Sequence, residues 1–281
     1  MEDIRKLLTT YAYNILGSYE DAKDIVQDAY LKFCNIDDKH IENKKAYLIR
    51  IVINLSINLK KRQKKMEKQY HGEWLPEPVA TEESDSSIVR KEILSYSLMV
   101  LLEKLNAKQR AVFILKEAFE YGHKEIAELL QTTEENCRKI YSRAKHELKA
   151  PNIVDSTFIS KDYLDKYMEV IYNADTKQLE NLLQKDISVI SDGGGKVSAS
   201  LHPVYGKSLT IKFLIGIYQK FYDTSETSIE KTSVNHHPAL LYYKNQKLSV
   251  CQIFEFENKN ISRIYFIRNP DKLLSLTQSP L

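Results

Sequence analysis

One helical pattern in the first quarter of the sequence carries side chains suited to contact nucleic acid. In "KKAYLIRIVINLSINLKKRQKK" apolar residues recur at helical spacing and predict a buried stripe of Leu48, Ile51, Val52, Leu55 and Leu59. The opposite face begins with an aromatic ring, continues with amides and ends in cations, at Tyr47, Arg50, Asn54, Asn58, Lys61 or Arg62, and Lys65. An aromatic ring can stack on a base, an amide can pair with a base edge, and cations can contact phosphates. A solvated helix face would show the same row of charges, so both interpretations stay open on this segment alone.

A second pattern, "HKEIAELLQTTEENCRKIYSRAKHELK", predicts two helices joined by a tight turn. Thr133 is placed to cap the second helix, with two glutamates in its first turn. That helix exposes a polar and basic row made of Arg138, Lys139, Ser142, Arg143, Lys145 and His146. A helix-turn-helix with a basic second helix is shaped for the major groove of DNA. A generic helical hairpin explains the apolar spacing equally well, but the concentration of cations less well.

A third segment, "YEDAKDIVQDAY", carries an acidic face. Asp21, Asp24, Gln27 and Asp28 point away from the apolar stripe of this helix. Paired carboxylates can hold a metal ion, but no histidine or cysteine accompanies them, so we expect no metal site here. A docking face for a basic partner is the better interpretation.

The elements that must position these side chains form two halves of different texture. Helical patterns fill residues 1 to about 66 and 88 to 150, separated by the polar, proline-containing stretch "EKQYHGEWLPEPVATEESDSS". After Pro151 two more helical patterns are followed by runs of β-branched and aromatic residues with period-two alternation, interrupted by one helix. The sequence therefore predicts a multidomain protein, with an all-α N-terminal half and an α+β C-terminal domain.

Composition sets further limits on the class of protein. The 281 residues carry a net charge of +3 and contain no apolar run of membrane-spanning length, and the N-terminus is charged, so we expect a cytoplasmic protein without a membrane partner. Cys34, Cys137 and Cys251 are far apart and lack metal-ligand spacing. We expect all three to be buried free thiols.

Several stretches resemble regions 2 and 4 of the extracytoplasmic-function sigma factors: "LGSYEDAKDIVQDAYLKF", "YLIRIVINLSINLKKR" and "LNAKQRAVFILKEAFEYGHKEIAELLQTTEENCRKIYSRAKHEL". The resemblance implies two partners, the bacterial RNA polymerase core and promoter DNA as duplex and as non-template single strand. Asp21, Asp24, Gln27 and Asp28 would then contact the polymerase. Tyr47, Arg50, Asn54 and Asn58 would face the minus-ten element, with Asn54 capturing an unpaired base. Phosphates would be held by Lys60, Lys61, Arg62, Lys64 and Lys65, and the minus-35 element would be read by Arg138, Lys139, Ser142 and Arg143.

This sequence departs from the family pattern at two places. Tyr47 stands where tryptophan is usual, which keeps an aromatic ring of different size. Gln131 and Thr132 replace the common glycine and apolar residue in the turn of the helix-turn-helix, so this turn departs from the family pattern in sequence.

The C-terminal part resembles the SnoaL-like (NTF2-like) cone fold, and a subgroup of these sigma factors carries such an extension. Three signatures of the subgroup are intact: WLPEP, DGGGK and NPDKL. They comprise Trp74, Leu75, Pro76, Glu77, Pro78, Asp192, Gly193, Gly194, Gly195, Lys196, Asn269, Pro270, Asp271, Lys272 and Leu273. The resemblance implies a region 2 domain at residues 1–67, a linker at 68–90, a region 4 domain at 91–150 and the extension at 151–281. In the subgroup the fused domain is taken to modulate the sigma factor.

The glycine run "SDGGGKVSAS" raises the question of a nucleotide or an active site. It lacks the spacing of a Walker loop and of a dinucleotide fingerprint, so we expect no cofactor. Asp192, His202, His236, His237 and Arg263 are titratable candidates for catalysis, but nothing in the sequence converges them into one site. We expect no enzyme, and a pocket that senses a small molecule is the alternative that remains open for this domain.

We expect the three signatures to form a joint instead. Trp74 is the only tryptophan in the chain, and we expect its indole to be buried against a neighbour. Lys196 is expected to reach Glu77 or the acids at 82 to 85, and NPDKL to fix the C-terminus near the same contact. The hypothesis is that this contact tunes promoter binding.

Two other classes of protein explain part of the sequence. A DNA-binding repressor would explain the helix-turn-helix but would leave the acidic face and the first basic helix without a role. An enzyme with a helical appendage would explain only the last 130 residues or so. A promoter-recognising initiation factor with a fused regulatory domain accounts for both halves.

Overall fold

The computed structural model describes residues 2–36, 41–67, 72–81, 92–148 and 161–277. The chain divides into two compact units. The helical unit contains Met1–Gln69 and Ser84–Ile153, and the C-terminal unit contains Tyr70–Glu83 and Val154–Leu281. Most of the predicted linker therefore belongs to the C-terminal unit. Among the described residues, no helix is long and apolar enough to cross a membrane.

The first three helices of the helical unit are α1 (Glu2–Leu16), α2 (Tyr19–Cys34) and α3 (Lys44–Glu67). Ser18 caps α2, where its side chain accepts a hydrogen bond from the backbone of Asp21 at 3.3 Å. The acidic face of α2 lies opposite its buried residues, as the pattern predicts. Cys34, at the end of α2, is exposed, so the prediction of a buried thiol is wrong there and right for Cys137 and Cys251.

The buried stripe of α3 differs in register from the prediction. Ile51, Leu55 and Leu59 are only partly buried, and the fully buried stripe consists of Leu48, Ile49, Val52, Ile53, Ser56, Ile57 and Lys60. The helix is apolar at so many neighbouring positions that its spacing fits either face. In the structure the buried face is the one that ends at Lys60.

The second half of the helical unit contains α4 (Tyr96–Leu102), α5 (Ala107–Glu117), α6 (His123–Leu129) and α7 (Glu134–Leu148). Asn106 and Gln109 form a capping box that begins α5. Helices α6 and α7 form the predicted helix-turn-helix pair, and Thr133 Oγ1 accepts from the Asn136 backbone at 3.2 Å, which confirms it as a cap of α7. In the turn, Gln131 adopts φ of +49°, a conformation that glycine takes more readily.

The C-terminal unit combines helices with one curved sheet. Its elements are α8 (Lys161–Tyr172), α9 (Thr176–Leu182), β1 (Leu183–Asp192), β2 (Val204–Tyr205), α10 (Lys207–Ile217), β3 (Thr227–Val234), β4 (His237–Lys244), β5 (Lys247–Glu257), β6 (Asn260–Ile267) and α11 (Pro270–Thr277). The strand order is β2-β1-β6-β5-β4-β3, with β1 parallel to β6 and the other pairs antiparallel. The core lies between the helices and one face of the sheet, to which β5 contributes Val250 and Phe254. This order of two helices, a strand, a helix and a run of strands is the predicted one.

The described part of the linker, residues 72–81, is here called the strap. It lies along the edge of the sheet, where Ala80 forms an antiparallel bridge with Val234 of β3. Asn235 fixes this register because its backbone donates to Val79 O and its side chain accepts from Val79 N, both at 2.9 Å. The strap is thus held at the edge of the sheet by one isolated bridge and the two hydrogen bonds of Asn235.

Candidate nucleic-acid interface and strap site

The acidic face of α2 is largely accessible. Asp24, Gln27 and Asp28 are exposed, whereas Asp21 is partly buried and accepts a hydrogen bond from Gln63 Nε2 at 2.7 Å. Leu31 continues the row one turn further and is 57% exposed. Leu31 was not among the predicted site residues, because only the polar residues of this face were considered. The face therefore combines carboxylates with one exposed apolar side chain.

The aromatic and amide part of α3 is half-buried. The Arg50 guanidinium lies over the Tyr47 ring, 4.8 Å from its centroid, and the pair is partly accessible. Asn54 donates through Nδ2 to Arg50 O at 2.9 Å and to Leu129 O, at the end of α6, at 3.1 Å. Asn58 is exposed. The amide predicted to capture a base is therefore bonded within the helical unit in this structure.

The five predicted phosphate-binding cations fall into two groups. Lys61, Arg62 and Lys65 are exposed, as phosphate contacts require. Lys60 is only 1% exposed, and its Nζ lies 2.9 Å from Glu103 Oε2. Lys64 donates to Glu103 O at 2.5 Å and to Leu105 O. The expectation that all five are available is corrected, because Lys60 lies on the buried stripe of α3 and cannot reach a phosphate in this structure.

Glu103 is the centre of a buried ionic cluster that the sequence did not reveal. Its carboxylate pairs with Lys60 and with Arg110, whose side chain is fully buried. Arg110 also donates through Nε to Asn14 O of α1 at 3.0 Å. Burial alone would raise the pKa of the Glu103 carboxyl, but the charges of Arg110 and Lys60 outweigh burial and lower this pKa to about 2. Glu103 is therefore ionised at neutral pH.

The predicted recognition residues of α7 are all exposed. Arg138 pairs with Glu134 at 2.5 Å and Lys139 with Glu135 at 2.6 Å, each one turn apart on the same helix. Such exposed pairs are weak and can exchange for a phosphate or a base edge. Ser142 and Arg143 line an open cleft of about 550 Å³ together with Gln109, His146 and Glu147. Gln109 was missed because it comes from α5, far away in sequence.

The strap site brings the three signature motifs together around one carboxylate. Asp192 is fully buried, and its Oδ2 accepts from the Leu75 backbone at 3.0 Å and from Lys272 Nζ at 2.5 Å. Its Oδ1 accepts from the Gly194 backbone at 2.7 Å. Lys272 also donates to Leu75 O at 2.5 Å. WLPEP, DGGGK and NPDKL thus meet within the C-terminal unit.

Two glycines of DGGGK, Gly193 and Gly194, are required for close packing. A Cβ at Gly193 would lie 2.2 Å from Val197 O. Gly194 has φ of +60°, and a Cβ there would lie 2.2 Å from Asn269 Nδ2. Asn269 in turn accepts from the Asp271 backbone at 3.1 Å, at the beginning of α11. The loop and the start of α11 can approach each other only because these side chains are absent.

Two details of the predicted joint are wrong. Lys196 pairs with Asp271 at 2.5 Å instead of Glu77, because NPDKL lies next to the glycine loop; the acids at 82 to 85 lie outside the described residues. Trp74 is 36% exposed, and Lys272 Nζ lies 3.3 Å from the centroid of its ring. The apolar anchor of the strap is Leu75, at 1% exposure, and Pro76, Glu77 and Pro78 are also buried.

The titratable candidates for catalysis have different surroundings, although the charge of Glu255 acts on both His237 and Arg263. Asp192 is occupied at the strap site, His202 is exposed, and Arg263 pairs with Glu255 at 3.2 Å. Burial lowers the pKa of His237. Among the described residues, no group of histidine, cysteine and acidic side chains is arranged to hold a metal ion.

Comparisons with known proteins give a consistent set of similarities. The Sigma-70 region 2 family model matches residues 1–66, and the Sigma-70, region 4 model matches residues 95–148. The ECF RNA polymerase sigma factor SigJ of Mycobacterium tuberculosis is 28% identical over 295 residues, covering 100% of this chain and 93% of that protein. The ECF RNA polymerase sigma factor SigW of Bacillus subtilis is 34% identical over 133 residues, covering 42% of this chain and 68% of that protein. The crystal structure of SigJ matches with a TM-score of 0.79 at 25% identity, over 98% of this chain and 97% of that chain.

Proposed function

The chain belongs to the extracytoplasmic-function RNA polymerase sigma factors. We propose that different helices contact the polymerase core, the minus-ten element and the minus-35 element. The exposed face of α2, with Asp24, Gln27, Asp28 and the partly buried Asp21, contacts a basic surface of the polymerase core. Helix α3 contacts the minus-ten element, and α7 reads the minus-35 element. The protein works in the cytoplasm, where polymerase and DNA are found.

The observation that carries this assignment is the exposure of the acidic row of α2 and of the basic row of α7. An acidic row with Leu31 at its end suits a protein partner, because interfaces combine an apolar contact with a charged rim. A basic row on the capped second helix of a helix-turn-helix suits duplex DNA. A repressor would have no use for the first row, and this distinguishes the two classes.

The test is co-purification with bacterial core polymerase followed by run-off transcription from a promoter library. The full chain should bind core and initiate at a subset of promoters. Asp24→Asn combined with Asp28→Asn should weaken core binding, and Arg143→Ala should preserve core binding but weaken promoter selection. Glu169→Gln, which removes an exposed charge from α8, is the control. A chain that never binds core, or binds it and initiates nowhere, contradicts the assignment.

We further propose that the C-terminal unit modulates initiation through the strap. The support is that the connection between α3 and α4 includes residues 72–81, whose backbone is bonded to Asp192, Lys272 and Asn235 of the C-terminal unit. In the transcription assay, Asp192→Asn should change the yield or the promoter preference of the full chain, whereas Asp271→Asn, at the exposed end of the site, should not. Equal transcription by the wild type and Asp192→Asn contradicts this role.

A small-molecule ligand of the C-terminal unit is a second proposal. It is supported by a polar network inside the otherwise apolar core, where Tyr242 donates to Gln252 Oε1 at 2.7 Å and Gln252 donates to the Tyr167 hydroxyl at 2.8 Å. A metabolite library should raise the melting temperature of the full chain but not of Gln252→Leu. A library in which nothing raises the wild-type melting temperature contradicts it.

A further inference from the structure

We propose that Glu103 acts as an internal substitute for DNA phosphate, which holds the helical unit closed until promoter DNA or the polymerase displaces it. Lys60, Glu103 and Arg110 are here called the Glu103 latch. The inference rests on the proposed role of α3 in contacting DNA, since Lys60 and Lys64 are among the five cations predicted to hold phosphates.

The geometry of the latch matches that of an ammonium–phosphate contact. Lys60 Nζ lies 3.1 Å from Glu103 Oε1 and 2.9 Å from Oε2, so it is shared between two anionic oxygens. Lys64 is held one turn later on α3 by the main-chain oxygens of Glu103 and Leu105. The end of α4 thus presents anionic and carbonyl oxygens to two of the cations predicted to bind phosphates.

A separate contact closes the amide part of the same helix. Asn54 donates to Leu129 O at the end of α6, and α6 belongs to the helix-turn-helix. The predicted base-capturing amide and two phosphate-directed lysines are therefore all engaged by the second half of the helical unit. For these three side chains to meet DNA, α3 must separate from α4 and α6.

The latch holds α3 only while Glu103 is charged. A lysine that is 1% exposed is costly to bury without an anionic partner, and so is the buried Arg110. DNA offers phosphates that can replace the carboxylate at Lys60 and Lys64, so binding of DNA compensates for opening. Arg110 also donates to Asn14 O, and Tyr11 of α1 stacks on Phe119, so α1 keeps several contacts with the second half of the helical unit when α3 is released. These contacts are expected to keep the open state folded.

The test measures binding of the full chain, without polymerase, to a fluorescent fork-junction oligonucleotide of arbitrary sequence, by anisotropy over a range of salt concentrations. Each phosphate contact adds about 0.9 to the slope of log K against log salt, so Glu103→Gln should steepen the slope by about 1.8 if both lysines are released. At moderate salt, this gives a gain of about tenfold in affinity. The matched control is Glu169→Gln, which removes the same charge from an exposed position.

A double mutant separates release of the latch from general loosening. If the gain comes through Lys60, Glu103→Gln combined with Lys60→Gln should lose at least half of the added slope. A gain that persists without Lys60 overturns the proposal. An affinity and slope of Glu103→Gln equal to those of Glu169→Gln also overturn it.

A distance measurement gives an independent readout in case Glu103→Gln does not fold. Cys34 on α2 is exposed and can take one label, and a Lys124→Cys variant on α6 can take the other, since Cys137 and Cys251 are buried. Adding the oligonucleotide to the otherwise unaltered chain should lengthen this distance. DNA that binds without lengthening it overturns the proposal. Failure of transcription with core polymerase would overturn the proposed roles of α2, α3 and α7 in initiation. The DNA-binding and distance measurements would still test the latch, because neither uses polymerase.

Discussion

Replacing Asp192 by asparagine is expected to detach the strap from the C-terminal unit. The carboxylate is fully buried and accepts from the Leu75 backbone, the Gly194 backbone and Lys272 Nζ. Asparagine keeps the shape but removes the negative charge that pairs with Lys272, which is 7% exposed. Removing one member of a buried ion pair costs about 3 to 5 kcal/mol, and we expect a loss of that size in the stability of the strap site.

The chain contains its own probe for this experiment. Trp74 is the only tryptophan, it lies in the strap, and Lys272 Nζ is 3.3 Å from the centroid of its ring. Urea titration followed by tryptophan fluorescence therefore reports strap release, while circular dichroism reports both units. In Asp192→Asn the fluorescence transition should move to lower urea and separate from the dichroism transition of the helical unit.

The matched control is Asp271→Asn, which breaks the pair with Lys196. Both side chains of that pair are more than half exposed, so its loss should cost no more than about 1 kcal/mol. The reasoning is refuted if Asp192→Asn and Asp271→Asn shift the fluorescence transition equally, because burial would then contribute nothing to the strap site.

Three further outcomes follow from backbone geometry and ionisation. Gly194→Ala should destabilise the strap site by about 1 to 3 kcal/mol, because the residue has φ of +60° and an added Cβ would lie 2.2 Å from Asn269. The control is Gly216→Ala, where an added Cβ meets no atom within 4 Å. In the same fluorescence titration this control should be neutral or slightly stabilising. Gln131→Gly should raise the stability of the helical unit by about 1 kcal/mol in urea titration by circular dichroism, since φ is +49° there, and a lower midpoint would contradict this. The pKa of Glu103 is lowered to about 2, so its charge should contribute stability that is fully present above pH of about 4.5 and is lost as the pH falls toward 2. In Glu103→Gln the free energy of unfolding should fall less over this pH range. An unchanged dependence of this free energy on pH would contradict the prediction.

The helix-turn-helix and the order of elements in the C-terminal unit could be predicted from sequence because local patterns specify them. Thr133 caps α7, and Val250 and Phe254 alternate toward one face of β5. The meeting of the three signatures was also predictable, from the resemblance to the subgroup. The predicted fold class is confirmed, with helical regions followed by a domain that contains a sheet.

The pairings inside these sites were not predictable, because they depend on partners far apart in the chain. Lys60 reads as a member of a basic run, and only Glu103, brought to it by tertiary packing, explains its burial. Lys196 and Lys272 are both lysines of signature motifs, yet Lys272 alone reaches the buried carboxylate. Trp74 is predicted to be the anchor of the strap because of its size, but Leu75 is the residue that is buried, at 1% exposure against 36% for Trp74.

The strap and the Glu103 latch are connected through the covalent chain. Helix α3 ends at Glu67, the strap occupies residues 72–81, and α4 begins at Tyr96. While the strap is docked, its backbone is bonded to Asp192, Lys272 and Asn235 of the C-terminal unit. Release of the strap would leave residues 72–81 free as part of the tether between α3 and α4, which raises the entropic cost of closing the latch. Each doubling of a flexible loop costs about 0.6 kcal/mol.

This cost predicts a modest and measurable coupling between the two sites. Asp192→Asn should increase the open fraction of the helical unit by about threefold per doubling of the tether, as read from labels on Cys34 and on a Lys124→Cys variant. Glu103→Gln should open it further, because it acts on the contact itself. By linkage, DNA that opens the latch should also weaken docking of the strap and change the fluorescence of Trp74. If Asp192→Asn leaves the labelled distance unchanged while Glu103→Gln lengthens it, the tether carries no coupling between the strap and the latch.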